Sequence, residues 1–379
     1  MQSKNVIAIA ANWDSNVGYA WWLMESYWIT INEEFSPAYR ILICYPSISI
    51  LPDEIARCSA DKIQFSFNET DFKSVVRQCC FIRKHNIKHL YFTDKAPTRI
   101  VHLFYRLAGI KTIVTHDHTP GIRTVATGIK RLLKIIITHL PLITADACFG
   151  ATEFVRQRLI NVNCLPKNKC FAINNGIPIT KPSHPTVDLR IKYRLPKDAF
   201  ILVTASRAHN YKGIEFALMT LAKVYQIIPN NNIYYVFIGD GPDLEQFKVL
   251  AYNLGIQQKV IFTGKLTNVR QLLASANCAF HPSYGEVGYS LSILEYMLEG
   301  LPLLVSDNPS VCEATQDEIT GLIYKEHNID DASCKLIQLW NNPQLLANMG
   351  QSAKKIVEVK YDLNDTHKKL ILQLHSLFG

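Results

Sequence analysis

Short, almost continuous apolar runs alternate along this chain with longer stretches of helical periodicity. "NVIAIAA" (5–11), "AYRILICYP", "HLYFTD" (89–94), "KTIVTHDH" (111–118) and "ADACFGAT" (145–152) read as strands. "YAWWLMESYWITI", "APTRIVHLFYRLAG" and "TEFVRQRLI" read as helices among them. A second series follows. Its strands are "AFILVTAS", "NIYYVFIGDGP", "KVIFTGK", "CAFHPSY" and "LPLLVSD". Its helices include "GIEFALMTLAKVYQII", "LEQFKVLAYNLG" and "NVRQLLASA". A strand with one wet face alternates apolar and polar residues. These strands do not, so both faces must be covered, and the intervening helices are the cover. That requires parallel α/β sheets. Two series predict two Rossmann-like domains, each binding ligand outside the carboxyl ends of its strands.

A length of 379 residues fits two domains. The stretch "PITKPSHPTVDLRIKYRLPKDAF" (178–200) has four prolines and little apolar periodicity, and reads as the linker. The expected domains are 1–180 and 181–350. Residues 351–379 end in the basic amphipathic "DLNDTHKKLILQLHSLF", expected to pack back toward the first domain.

The formal net charge is +8. It suits an anionic small molecule, an anionic membrane surface or nucleic acid. No zinc finger, RNA-recognition signature or Arg-rich tract supports the last, so nucleic acid is not expected as a partner. The ten cysteines form no CxxC pair and no metal spacing with histidine. They read as reduced thiols in a cytoplasmic protein. "MQSKNVIAIAANWDSN" is not a signal peptide, and no apolar run reaches the ~20 residues of a membrane span. Residues 122–143, "IRTVATGIKRLLKIIITHLPLI", place Arg123, Lys130, Arg131 and Lys134 beside an apolar run. A basic amphipathic helix of this kind can lie on the inner face of a membrane or pack on the first-domain sheet.

Four stretches carry candidate chemistry. In "HPSYGEVGYSLSILEYMLEGLPLLVS" (281–306) a strand passes through a small-residue loop into a helix starting near Ser290. Leu291, Leu294, Met297 and Leu298 share one face, and Ser292, Glu295 and Glu299 another. The helix start offers unpaired N–H groups and a positive dipole end, which suit phosphate. Glu295 could then accept from ribose hydroxyls, and Glu286, on the loop, from a group beyond the phosphates. "ASRAHNYKGIEF" (205–216) puts Arg207 and Lys212 in a strand-to-helix loop, where two cations can neutralise a diphosphate. Surface cations would look the same. "FIGDGPDLEQF" (237–247) carries too few glycines for a phosphate fingerprint and reads as a tight turn, while Gly264 in "KVIFTGKL" leaves backbone to face a flat base. In the first half, Gly18 stands in the first strand-to-helix loop, and His116, Asp117 and His118 at a strand end. A histidine reaching toward a ligand or a structural histidine would fit there. No further ligand cluster supports a metal.

Taken together, "SRAHNYKG", "GDGP", "VIFTG" and the 281–306 segment resemble glycosyltransferase family 4. These are retaining, nucleotide-sugar-dependent enzymes of the GT-B fold, whose second domain carries G-R-x4-K-G, GdGp, V-x-F-x-G and PS…E-x7-E. "ATEFVRQRLI…LPKNKCFAINNGI" is similar to the family's end-of-first-domain signature. The resemblance covers about 110–330. It implies two Rossmann-like domains facing each other across a cleft, the first for the acceptor and the second for the nucleotide-sugar. It implies Arg207 and Lys212 on the donor diphosphate, Glu295 on the ribose and Glu286 on the sugar hydroxyls. The amides of Tyr289, Ser290 and Leu291 would contact sugar and phosphates. His118, with His116 as fallback, would contact the sugar near the reacting carbon. No metal or other cofactor is implied, since the nucleotide-sugar is a substrate. The expected reaction moves a hexose-type sugar from a UDP- or GDP-sugar to a growing polysaccharide, lipopolysaccharide or lipid-linked glycan. Two departures matter. Glu286 and Glu295 are spaced E-x8-E, so either a one-residue bulge carries Glu286 into place or that carboxylate is missing. The first glycine of the G-R loop is Ser206. A non-catalytic partner subunit or a small soluble acceptor are the alternatives.

Overall fold

A computed structural model describes residues 4–18, 21–180 and 187–378. The chain divides into two compact units. The first comprises Met1–Thr119, Arg123–Asn175 and Asn364–Gly379, and the second Pro120–Ile122 and Gly176–Leu363.

The first unit holds a seven-stranded sheet: β1 (Val6–Ala10), β2 (Arg40–Tyr45), β3 (Asp61–Gln64), β4 (Ile87–Thr93), β5 (Thr112–Asp117), β6 (Ala147–Gly150) and β7 (Cys170–Ala172). Their order is β3-β2-β1-β4-β5-β6-β7, and every pair is parallel. The second unit holds β8 (Phe200–Ala205), β9 (Ile233–Ile238), β10 (Val260–Phe262), β11 (Cys278–His281), β12 (Leu303–Ser306) and β13 (Gly321–Tyr324). Their order is β10-β9-β8-β11-β12-β13, again all parallel. Counted from the start of each unit this is the 3-2-1-4-5-6 order of the dinucleotide-binding fold. The winding reverses between the first and fourth strands, which opens a crevice at their carboxyl ends. Those ends are β1 and β4 in the first unit and β8 and β11 in the second.

The continuous apolar strands are buried on both faces. Phe200 and Leu202 point to one side of the second sheet with Tyr235, Phe237, Phe280 and Leu304. Ile201 and Val203 point to the other with Val236, Ile238, Ala279 and Val305. This is the two-residue period of a strand read on both sides, and each such side chain contributes about 1.5–3 kcal/mol when buried.

Three sequence expectations are corrected. The second unit begins at Gly176, not 181, because Ile177 enters its core. The chain returns to the first unit at Asn364, not 351. Pro343–Lys360 is one helix, and its Met349, Ala353 and Val357 are buried in the second unit. Only Leu363–Phe378 joins the first unit, burying Leu370, Leu374 and Phe378, with the Thr366 hydroxyl donating to the Asn174 carbonyl at 2.8 Å. The supposed linker is anchored to the second unit at particular residues. Residues 181–186 lie outside the described residues, but Leu189–Lys192 is a short helix with Leu189 fully buried. Arg190 from that helix donates to the Ala199 and Ser275 carbonyls and to Asn277. All ten cysteines are free thiols. Among the described residues no helix is long and apolar enough to cross a membrane.

Candidate active site

In the second unit, three loops meet at the carboxyl ends of β8 and β11. The first, 206–213, leaves β8 and enters the helix Ile214–Ile227. Gly213 makes the corner with φ +68°, and a Cβ there would stand 2.0 Å from the Pro282 carbonyl oxygen. The backbone after β8 therefore lies against the backbone after β11. Gly213→Ala is expected to destabilise the protein by about 3 kcal/mol in chemical denaturation, since backbone strain and overpacking act together. The "GDGP" turn is a buttress for the same loop. A Cβ on Gly239 would stand 1.8 Å from the Ser206 carbonyl oxygen. The Ala208 N–H donates to the Asp240 carbonyl at 2.9 Å, and the Asn210 N–H to the Asp243 carboxylate at 2.7 Å.

The helix Leu291–Leu298 follows the loop after β11. Ser290 caps it in extended backbone, its hydroxyl accepting from the Ile293 N–H at 3.3 Å. Tyr296, fully buried, accepts from the Ala205 N–H at 2.5 Å and donates to the Ala205 carbonyl at 3.1 Å. One side chain so fixes the helix against the last residue of β8. The loop is also tied to the segment after β12, where the Gly288 N–H donates to the Ser310 carbonyl at 2.8 Å.

Between these loops Lys212, Glu286 and His281 form a buried cluster. The Lys212 ammonium stands 2.5 Å from Glu286 Oε1, and His281 Nε2–H donates to the same oxygen at 3.1 Å. Burial pushes the Glu286 carboxyl up, but the Lys212 charge and the His281 hydrogen bond outweigh it and hold the group down to about 2. Burial lowers His281, which is neutral as the donor. Lys212→Met is expected to destabilise the protein by about 3–5 kcal/mol, because it leaves a buried carboxylate unpaired. Adding Glu286→Gln should recover most of that loss in the same denaturation experiment.

The remaining predicted donor residues are placed as follows. Arg207, in the Lys212 loop, is exposed, and its guanidinium bonds no other described residue. Leu291 and Ser292 open the helix, where no preceding turn supplies carbonyls for their N–H groups. The Tyr289 ring is fully buried and packs against Tyr361 at 5.2 Å, which commits the side chain to the core. Glu295 lies one turn into the helix. Burial, and then the neighbouring Glu299, raise its carboxyl to about 7, against an opposing pull from Arg270. Arg270 itself is held by Glu299 at 2.8 Å. Gly264 follows β10, with open space where a side chain would be, and its carbonyl accepts from the Gly239 N–H at 3.1 Å. Lys212, Glu286 and Ser290 are thus gathered around His281, whose ring stands 3.4 Å from the Ser290 hydroxyl. Sequence reasoning gave His281 and Tyr296 no role. A histidine closing the otherwise apolar strand "CAFH" was the available signal for the first.

In the first unit, Gly18 stands exposed in the loop after β1 with φ +81°. His116 is fully buried, 2.6 Å from the Tyr91 hydroxyl and stacked on Tyr27. His118 lies against it, ring centroids 4.0 Å apart, and neither His118 ring nitrogen makes a hydrogen bond among the described residues, Nδ1 standing 3.9 Å from the Asp94 carboxylate. Burial pushes His118 down to about 4 despite Asp117, so the ring is neutral near pH 7. Asp94, at the end of β4, accepts from the His118 N–H at 2.7 Å. Burial raises its carboxyl to about 7. Arg158 donates to Asp117 at 3.1 Å and to the Thr119 carbonyl at 2.7 Å, fixing the segment that carries His118. Among the described residues, no group of three or more His, Cys, Asp or Glu side chains is gathered to hold a metal.

Residues 187–356 match the family described as glycosyl transferases group 1. An alpha-monoglucosyldiacylglycerol synthase of Streptococcus pneumoniae is 29% identical over 49% of this chain and 43% of its own. The chain spans roughly half the length of several curated relatives it matches, at 54% and 48% in two of them. Among solved structures, a glycosyltransferase from Rickettsia africae superposes with a TM-score of 0.80 at 15% identity, covering 100% of both chains. HepE of Anabaena in complex with UDP-glucose superposes with a TM-score of 0.74 at 17% identity, covering 98% of this chain and 100% of that one. Two parallel sheets of the same winding and full-length likeness to these structures give the chain the GT-B fold, and its residues 187–356 match the group 1 glycosyltransferase family.

Proposed function

We propose that the protein is a retaining glycosyltransferase of the family 4 kind. It moves a hexose-type sugar from a UDP- or GDP-sugar to a hydroxyl of a growing polysaccharide, lipopolysaccharide or lipid-linked glycan. The observation that carries this reading is the junction after β8 and β11. There the loop that carries Lys212 and the exposed Arg207 lies against the Pro282 backbone, on the chain that leads into the Ser290 helix start, and Glu295 lies one turn into that helix. HepE, a structural neighbour, is a UDP-glucose complex, and the pneumococcal relative makes a glycolipid. Both support the donor and acceptor classes.

In this mechanism Arg207, Lys212 and the amides of Tyr289, Ser290 and Leu291 take the diphosphate. Glu295 takes the ribose, Gly264 gives the base a flat backbone, and Glu286 takes sugar hydroxyls while remaining ionised beside Lys212. His118 is assigned to the sugar near its anomeric carbon. His116, held by Tyr91 and Tyr27 in the core, is the poorer candidate. Gly18 is assigned to backbone contact with the donor. The bond from the anomeric carbon to the phosphate oxygen breaks first, and the departing diphosphate gains charge that the cations and the helix start stabilise. The acceptor hydroxyl then attacks from the same face and passes its proton to the departing oxygen. The reaction needs no metal and no other cofactor. The protein works in the cytoplasm, on the inner face of a membrane that it touches through residues 122–143. Proton NMR of the product is the test. An α-linked sugar from an α-configured donor supports the reading, and a β-linked product refutes it.

A further inference from the structure

The helix Gly128–Thr138 is built inside out, and we infer that it docks the protein on an anionic lipid bilayer. Of its residues only Thr138 is buried. Its polar stripe faces the protein: Arg131 donates to the Asn161 carbonyl at 3.1 Å, Lys134 to the Val162 carbonyl at 2.7 Å and Thr138 to the Cys164 carbonyl at 2.6 Å. At spacings of three and four these residues occupy one side of the helix. The opposite side carries Ile129, Leu132, Leu133, Ile136 and Ile137, between 47% and 74% exposed. A surface helix normally turns such a stripe to the core. Here the sequence spends its cations on holding the helix to the body and leaves the apolar face in water. Contiguous apolar surface of this kind is uncommon on a protein that has no use for it.

The charge around the stripe selects the occupant. No Asp or Glu occurs between Asp117 and Asp146, while Arg123 and Lys130 are exposed. A partner protein surface would be expected to meet acidic as well as basic residues at its rim. A rim with cations alone, around aliphatic residues that fit acyl chains, matches anionic lipid. This differs from a basic helix lying on its charges: the aliphatic stripe enters the bilayer, and Arg131 and Lys134 stay with the protein. The inference extends the proposed function, since a lipid-borne acceptor must be met at a bilayer, but it stands on separate evidence.

The experiment is co-sedimentation of the full chain with vesicles of phosphatidylglycerol and phosphatidylcholine, beside vesicles of phosphatidylcholine alone. The wild type should pellet with the anionic vesicles at least tenfold more tightly than with the neutral ones. Lys130→Gln should weaken binding about fivefold. The triple variant Leu132→Gln, Leu133→Gln, Ile136→Gln should lose it, with its thermal unfolding unchanged because these positions are already exposed. A wild type that stays in the supernatant, or a triple variant that pellets as before, overturns the inference. So does a wild-type dimer that the triple variant converts to monomer, since the stripe would then cover a second copy. UDP- and GDP-sugar binding in vesicle-free buffer reports on the donor site alone. Vesicle binding without donor binding would sink the proposed reaction and leave the docking helix standing.

Discussion

Arg207→Ala is expected to slow sugar transfer by about a hundred- to a thousandfold while leaving the fold intact. The two parts of that expectation come from one observation. The guanidinium is exposed and bonds no other described residue, so its loss leaves nothing buried and unpaired. An interaction aimed at charge that develops on a leaving group is worth about 2.7–4 kcal/mol of barrier when a single donor is removed. Lys212 cannot substitute for it, because its charge is already shared with Glu286 at 2.5 Å. Steady-state kinetics should show the loss mainly in kcat, since the diphosphate carries more charge when it departs than when it binds. Unchanged thermal unfolding separates this result from the Lys212→Met variant, whose defect is structural. An Arg207→Ala enzyme with undiminished kcat would remove the guanidinium from the mechanism.

Glu295 should make donor binding depend on pH in a range where carboxylates usually do not titrate. Burial raises the group to about 7, so near neutrality about half of it is protonated. Hydrogen bonds from ribose hydroxyls favour the ionised form. Donor affinity is therefore expected to rise as pH increases through about 7 and to level off above it. Glu295→Gln should flatten that profile and weaken binding at pH 8 by about ten- to a hundredfold, the worth of hydrogen bonds to a charged acceptor. The sign of the stability effect is opposite. Between its ordinary value and about 7 the folded chain keeps a proton that the unfolded chain has released. Burying Glu295 thus costs stability increasingly as pH rises through that window. Ligand-free Glu295→Gln should gain more stability over the wild type at pH 8 than at pH 5. Calorimetric titrations and denaturation curves at the two pH values check both signs.

How much of this was legible depended on which residues carried the signal. "FILVTA" and "YYVFI" announced buried parallel strands because both faces had to be apolar. β3, "DKIQ", did not, because an edge strand with no residue fully buried has no pattern to show. The helix Phe72–Lys84 was likewise missed: it buries only Val75, Gln78 and Ile82. The prolines of 178–200 pointed to a linker, yet Leu189 and Arg190 pack into the second unit through contacts with Ala199, Ser275 and Asn277, some of them distant in sequence. At the site, residue types and order were readable, and so was the helix start at Ser290. The pairing of Lys212 with Glu286 was not. It depends on Gly213 lying against Pro282, a contact between loops about 70 residues apart. The spacing of Glu286 from Glu295 also required the structure. Gly288, with φ +111°, turns the intervening loop, and Glu286 points at Lys212 and His281. The 122–143 segment was recognisable as basic and amphipathic, but composition could not say which stripe faces water.

The central claim is that the loops after β8 and β11 grip a nucleoside diphosphate sugar. Thermal unfolding of the full chain with UDP, GDP, ADP and their sugars, run beside Arg207→Ala and Glu295→Gln, tests it most directly. The account predicts that one nucleotide series stabilises the wild type, by about 2.7 kcal/mol at a hundredfold excess over Kd, Glu295→Gln much less throughout, and Arg207→Ala much less with the free diphosphate, which carries the larger charge. Wild-type protein indifferent to every nucleotide, or variants stabilised by the free diphosphate as strongly as the wild type, would contradict it.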